Sequence, residues 1–219
     1  MLRAALVLVL VAAAPQEPPE LVVEDFEQGI GRWEFTDPAA WKEADGPRGK
    51  MLSQHKKSTY APKVRSPFGI ALLKDVWVGD FVLEARVQST VKDYGHRDMC
   101  VFFGYQDPSH FYYSHLGKKT DDHANQIFIV NGEPRKKIST RTTEGTNWTD
   151  GWHAVKVVRK VSDGTIEVYW DDMTTPVQTA KDTTFAWGRI GVGTFDDTGN
   201  WDDIRLRGVK LDPPRKEER

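Results

Sequence analysis

From residue 21 onward, short runs rich in β-branched and aromatic residues recur between clusters of turn-forming residues, and no stretch sustains a helical period. Phe81, Leu83, Ala85 and Val87 share one face of an extended segment, and Glu84 and Arg86 point the other way. Val155 and Val157 flank Lys156, and Ile166, Val168 and Trp170 alternate with Glu167 and Tyr169. Side chains on a strand repeat every second residue, so this spacing buries one face of a sheet and scatters around a helix. The segments 21–26, 50–54, 70–74, 81–89, 99–105, 111–116, 126–130, 136–140, 153–159, 165–170, 189–194 and 202–209 read as strands. Asp163-Gly164 and Asn131-Gly132 mark hairpins. A single helical turn is expected at Asp37-Pro38-Ala39-Ala40-Trp41, where Asp37 can cap and Pro38 suits the first helical position. Many short strands without an internal repeat predict an all-β, two-sheet antiparallel sandwich rather than a propeller.

The chain of 219 residues carries 30 Lys+Arg against 32 Asp+Glu, a net charge of −2 that exerts little long-range pull on nucleic acid or anionic lipid. Its one cysteine, Cys100, excludes an intramolecular disulfide. Within Met99-Cys100-Val101-Phe102-Phe103 it reads as a small core hydrophobe, the alternative being a bridge between chains. At the N-terminus, Arg3 precedes an apolar run from Ala4 to Ala14, which ends in small residues. That run is too short to span a hydrocarbon core of about 30 Å, and it reads as a secretory signal peptide over 1–14, a buried first element being the alternative. A linker over 15–20, a domain over 21–208 and a charged, flexible tail over 209–219 complete the expected organisation. No cysteine lies near the expected cut to carry a lipid anchor, so the expectation is an exported monomer, periplasmic or extracellular, without a membrane anchor. The sequon Asn147-Trp148-Thr149 is of a kind that arises often by chance and carries no weight.

Three segments carry a family resemblance. Glu24-Asp25-Phe26-Glu27-Gln28-Gly29 with Trp33 is similar to the first strand of secreted carbohydrate-binding jelly rolls. Gly151-Trp152-His153 through Val157, followed by Gly164 through Trp170-Asp171, resembles the core of laminin-G-like domains. Gly188 through Phe195, followed by Trp201-Asp202-Asp203-Ile204, resembles the closing strands of the concanavalin A-like lectin/glucanase superfamily, which includes the 3-keto-disaccharide hydrolase (family 16 glycoside hydrolase-like) domains. The resemblance implies a jelly-roll sandwich over essentially all of 21–208 and a carbohydrate ligand. It also implies a structural calcium ion held between the acidic chain ends by Asp25, Glu27 and Asp202.

The glucanase arrangement Glu-x-Asp-x-x-Glu is missing, so the close carboxylate pair of a classical retaining glucanase is not expected. No nucleophile elbow, zinc-protease helix, phosphate loop or dinucleotide fingerprint occurs, so no organic cofactor is expected. The densest polar cluster comprises His96-Arg97-Asp98, the strand Phe111–Leu116 and Asp121-Asp122-His123-Ala124-Asn125. Period two places Phe111, Tyr113 and His115 on one face. An aromatic platform beside hydrogen-bonding groups suits a sugar. His96, Arg97, Tyr113 and Asn125 are therefore candidate ligand-binding residues, and His115 is a candidate base with Asp122 or His123 as its acid or orienter. His96, His115 and His123 with Asp122 could instead hold a transition metal. The functional expectations are a glycan-binding module, a glycoside-processing enzyme of the 3-keto type, or a structural envelope or surface protein.

Overall fold

A computed structural model describes residues 18–212; the expected signal segment, the first half of the linker and residues 213–219 lie outside this range. One sheet has nine strands: β1 (Glu20–Glu24), β3 (Trp41–Gly46), β4 (Gly49–Gln54), β6 (Trp77–Ser89), β11 (Ser139–Thr142), β12 (His153–Lys160), β13 (Thr165–Trp170), β14 (Gln178–Lys181) and β16 (Gly199–Leu211). Their order is β11-β14-β13-β12-β6-β16-β4-β3, with β1 beside the far half of β16. The second sheet has seven: β2 (Trp33–Phe35), β5 (Gly69–Leu73), β7 (Asp98–Asp107), β8 (His110–Gly117), β9 (Ile127–Asn131), β10 (Lys136–Lys137) and β15 (Arg189–Thr194), in the order β10-β9-β8-β7-β15-β5-β2. All pairings are antiparallel. The protein is the expected all-β jelly-roll sandwich. The one helical turn among the described residues, Pro38–Ala40, begins where expected, with the Asp37 carboxylate accepting from the Ala39 amide at 3.2 Å. Pairing reaches Leu211, three residues past the expected end of the domain. No helix among the described residues is long and apolar enough to cross a membrane.

The main core lies between the sheets, where Leu83, Val87, Val157, Val168 and Trp201 meet Val101, Phe103, Tyr112 and Val192. The seven-stranded sheet is also buried on its other face. There Ile70, Leu72, Cys100, Phe102, Phe111, Tyr113, Phe128 and Val130 form a second core beneath residues 55–68, a strap without regular structure. Val64 and Phe68 pack down onto this core. The strap is tied on one side by the Thr59 amide and hydroxyl, both donating to Asp37 at 2.8 Å, and on the other by the Phe68 amide, which donates to the Phe195 carbonyl at 2.9 Å. Sheets covered on both faces read as continuous apolar runs, as Met99–Phe103 does. Cys100 is wholly buried and free, as the core reading expects.

At the start of β12, the Thr149 amide donates to His153 Nε2 at 3.0 Å, and His153 Nδ1 donates to Asp171 Oδ2 at 2.8 Å. The ring lies 4.7 Å from Trp170, so this histidine pins a loop to the hairpin that follows.

Candidate functional site

Where the strap meets the turn after β15, a cleft of about 330 Å³ opens beside the second core, lined by Arg65, Tyr94, His96, Asp98, His115, His123, Arg135, Phe195 and Asp196. At its floor, His115 Nε2 faces Asp98 Oδ2 at 3.6 Å, and these residues are only 3% and 1% exposed. Register explains the meeting. Cys100 pairs with His115 and Asp98 with Gly117, so Asp98 lies diagonally across from the histidine on the same face.

Both groups are positioned by buried hydrogen bonds. Asp98 Oδ1 accepts from the Phe195 amide at 2.9 Å and the Thr194 hydroxyl at 3.1 Å, leaving Oδ2 toward the histidine. The Asn125 amide donates to His115 Nδ1 at 3.3 Å, which leaves the proton of the neutral ring on Nε2. Asn125 achieves this from the left-handed region, with φ of 53°. Its side-chain amide donates to Thr120, Thr142 and the Thr143 carbonyl and accepts from Gln178, so it has no capacity left for a ligand. Asn125 positions His115 and does not reach into the cleft.

The other expected residues divide sharply. His96 and His123 reach the cleft rim. Asp122 is exposed, binds the Lys137 ammonium at 2.5 Å and does not line the cleft; Asp98 stands in its place beside His115. The four-residue metal set is thereby broken, because Asp122 is turned to Lys137. Arg97 precedes the strand and points elsewhere, donating to the Ser89 carbonyl at 2.9 Å and meeting Asp150 at 3.1 Å. Tyr113 shares the face of His115 as expected, but it is wholly buried, stacked 5.1 Å from Phe128, with its hydroxyl accepting from Arg135 at 2.9 Å. It supports the floor and offers no open platform.

Asp25, Glu27 and Asp202 do not converge. Asp25 accepts from the Glu27 amide and Glu27 from the Lys50 amide. A bulge at Asp203, with φ of 49°, shifts the phase of β16, so Trp201 takes the inward place and Asp202 pairs with Arg86 on the outer side. Among the described residues, the acidic group whose ligand atoms lie within 4.8 Å of one another is Asp98, Asp196 and Asp197. Asp197 already accepts from the Tyr94 hydroxyl at 2.7 Å and the Asp98 amide at 3.1 Å. The oxygens this group leaves open are Asp98 Oδ2 and the Asp196 carboxylate, fewer than the 6–8 or so that calcium takes. Water or ligand oxygens would complete a shell there.

No family model matches the sequence, and no curated protein matches it. Solved structures do. The carbohydrate binding module CBM66 from Bacillus subtilis superposes with a TM-score of 0.58 at 16% identity, over 81% of this chain and 96% of that one. Domain 4 of AbnA, an extracellular arabinanase from Geobacillus stearothermophilus solved with arabinotriose, gives 0.57 at 15% identity, over 90% and 96%. The exoplasmic/lumenal domain of VIP36, in a form bound to Ca2+ and Man3GlcNAc, gives 0.50 at 11% identity, over 90% and 94%. The fold is a lectin-like jelly roll.

Burial sets the electrostatics of the floor. It pushes the Asp98 carboxyl up to about 7, with Asp196 adding to the rise, and pushes Asp197 up to about 6, with Asp98 adding. Burial, then Arg135 and His96, holds His115 down at about 3. At neutral pH the histidine is therefore a neutral Nε2–H donor, and Asp98 is the group whose proton is easily exchanged.

The folded state keeps protons on the two acids that the unfolded chain releases above about pH 4. The stability they contribute is present at low pH and is lost as pH rises toward 7. His115 acts oppositely, gaining stability from about pH 3 up to its unfolded value near 6.5. Asp98→Asn, which keeps the carbonyl oxygen for Phe195 and Thr194, should therefore stabilise the protein progressively from pH 5 to pH 8. The expected gain is on the order of 1–3 kcal/mol, read by urea unfolding in EDTA. Parallel stability curves for variant and wild type would show that Asp98 does not titrate in this range.

Proposed function

We propose that this domain recognises a carbohydrate in the cleft floored by His115 and Asp98. The observation that carries the reading is a buried donor and a buried acceptor, each held by the fold and each leaving one atom open to the same small cleft. Saccharides present alternating donors and acceptors, and a few fixed polar groups suffice to orient them. The solved neighbours include a carbohydrate binding module and domains bound to arabinotriose and to Man3GlcNAc, which supports the same class of ligand. Export to a periplasmic or extracellular space belongs to this reading, supported by the leader-like residues 1–14. A glycan array followed by calorimetry is the direct test. His115→Gln should weaken binding of any glycan found by about tenfold, the value of a hydrogen bond to a buried partner. An empty array, or binding indifferent to His115→Gln, would remove the cleft from the reading.

A second reading, processing of a 3-keto glycoside, is favoured by the pairing of a titratable Asp98 with a neutral His115. A sugar carbonyl acidifies the adjacent C–H. Asp98 would take that proton, the electron pair would move onto the carbonyl oxygen, and His115 Nε2–H would donate to the resulting oxyanion. The electron pair would return to expel the glycosidic oxygen, which leaves with the proton from Asp98. The base role expected of His115 thus passes to Asp98, because His115 presents its proton and not a lone pair.

The calcium expectation moves to Asp98, Asp196 and Asp197, where like charges gather. Millimolar calcium should raise Tm by mass action, and Asp196→Asn should abolish the shift. A melting curve unchanged between calcium and EDTA would dismiss the ion.

A further inference from the structure

Two guanidinium groups stand on one wall of the cleft, and neither meets a carboxylate within ion-pair distance among the described residues. Other arginines of the chain do: Arg48 binds Asp203, Arg189 binds Glu34 and Arg207 binds Glu84, each at 2.8 or 2.9 Å. Arg135 is held in place without such a partner. Its guanidinium carbon lies 4.2 Å from the centroid of Phe195 and 4.7 Å from that of Phe128, and Nη1 donates to the Tyr113 hydroxyl. Arg65, on the strap, lies 5.6 Å from the same Phe195 ring, and its carbonyl accepts from the Arg135 amide at 3.0 Å. Stacking on an aromatic face fixes a guanidinium while leaving its N–H edge open, the arrangement that forks an oxyanion.

Asp98 and Asp196 line the same cleft. His115 feels both sides, with Arg135 acting on it in one sense and Asp196 in the other. The cleft thus has cationic groups and carboxylates that do not neutralise each other. A neutral sugar can offer hydroxyl oxygens to the guanidinium edges, but only an anionic group both fills the fork and balances the charge there.

We infer that the ligand of this cleft is an acidic saccharide, whose anionic group sits between Arg65 and Arg135 while its ring hydroxyls donate to Asp98 and Asp196. This rests on the carbohydrate reading of the same cleft and narrows it to sugars bearing a carboxylate or a sulfate.

The test is calorimetry with three matched sets of oligosaccharides: uronate-containing, the same chains with the carboxyl reduced to the alcohol, and sulfated. Wild type should bind an acidic set about ten- to a hundredfold more tightly than its neutral twin, with affinity falling as salt rises. The set preferred names the anion. Arg65→Gln, on an exposed strap residue, should collapse that preference to within about twofold while leaving Tm in place. Arg135→Lys should keep the charge and lose most of the preference, because the fork and the stacking go with the guanidinium. Equal binding of acidic and neutral twins, unchanged in Arg65→Gln, would overturn the inference and leave the carbohydrate reading standing. Binding of none of the three sets would overturn both.

Discussion

Phe102→Ala is expected to destabilise the protein by about 3–5 kcal/mol in urea unfolding, the range for emptying a packed aromatic site. Phe102 is wholly buried in the second core, with ring centroids 6.1 Å from Phe111 and 5.9 Å from Tyr113. The backbone beneath it is closely packed: at Gly193 an added Cβ would come within 1.9 Å of the Gly69 carbonyl oxygen, so the missing side chain lets β5 approach β15, and it would also crowd the edge of the Phe102 ring at 3.2 Å. A loss below about 1 kcal/mol would mean that the strap simply collapses into the space, and the outer face of this sheet would not be a packed core.

Asp98→Asn should lower turnover of a 3-keto glycoside by about 10²–10⁴-fold, the usual contribution of a positioned general base. Binding of an unreactive glycan should fall by only about tenfold, because one ligand-facing acceptor becomes an amide donor while the asparagine carbonyl oxygen keeps the bonds from Phe195 and Thr194. Equal, modest losses in both measurements would leave a binding module and withdraw the enzymatic reading.

Strands with one wet face announce themselves by alternation, and those of β6, β12 and β13 are placed by Phe81–Val87, Val155–Val157 and Ile166–Trp170. β2, β3 and β14 escape because they are short or polar: Trp41-Lys42-Glu43-Ala44-Asp45-Gly46 and Gln178-Thr179-Ala180-Lys181 have neither a run nor a clean period. His115 is legible through period two on β8, and the same rule, counted back from Phe102 through Cys100, reaches Asp98. Arg97, next to it in sequence, lies outside the strand and obeys no such rule. Arg65, Arg135 and Phe195 come from a strap and two loops, and nothing in local pattern brings three loops to one place. For Asp202 the reason is different: alternation counted back from Ile204 and Leu206 puts it on the core face, but a bulge at Asp203 inverts the faces, and a non-glycine residue in the left-handed region gives no warning of it.

The strap over residues 55–68 also bears on how a polymer could approach. In an uncovered jelly roll a polysaccharide can lie across the sheet and thread out at both sides. Here Val64 and Phe68 fill that path, and the Thr59–Asp37 and Phe68–Phe195 bonds pin the roof at both edges. On the carbohydrate reading, the approach left to a sugar is beside the roof, through the cleft lined by Arg65, His96 and His123, and not across the face of the sheet.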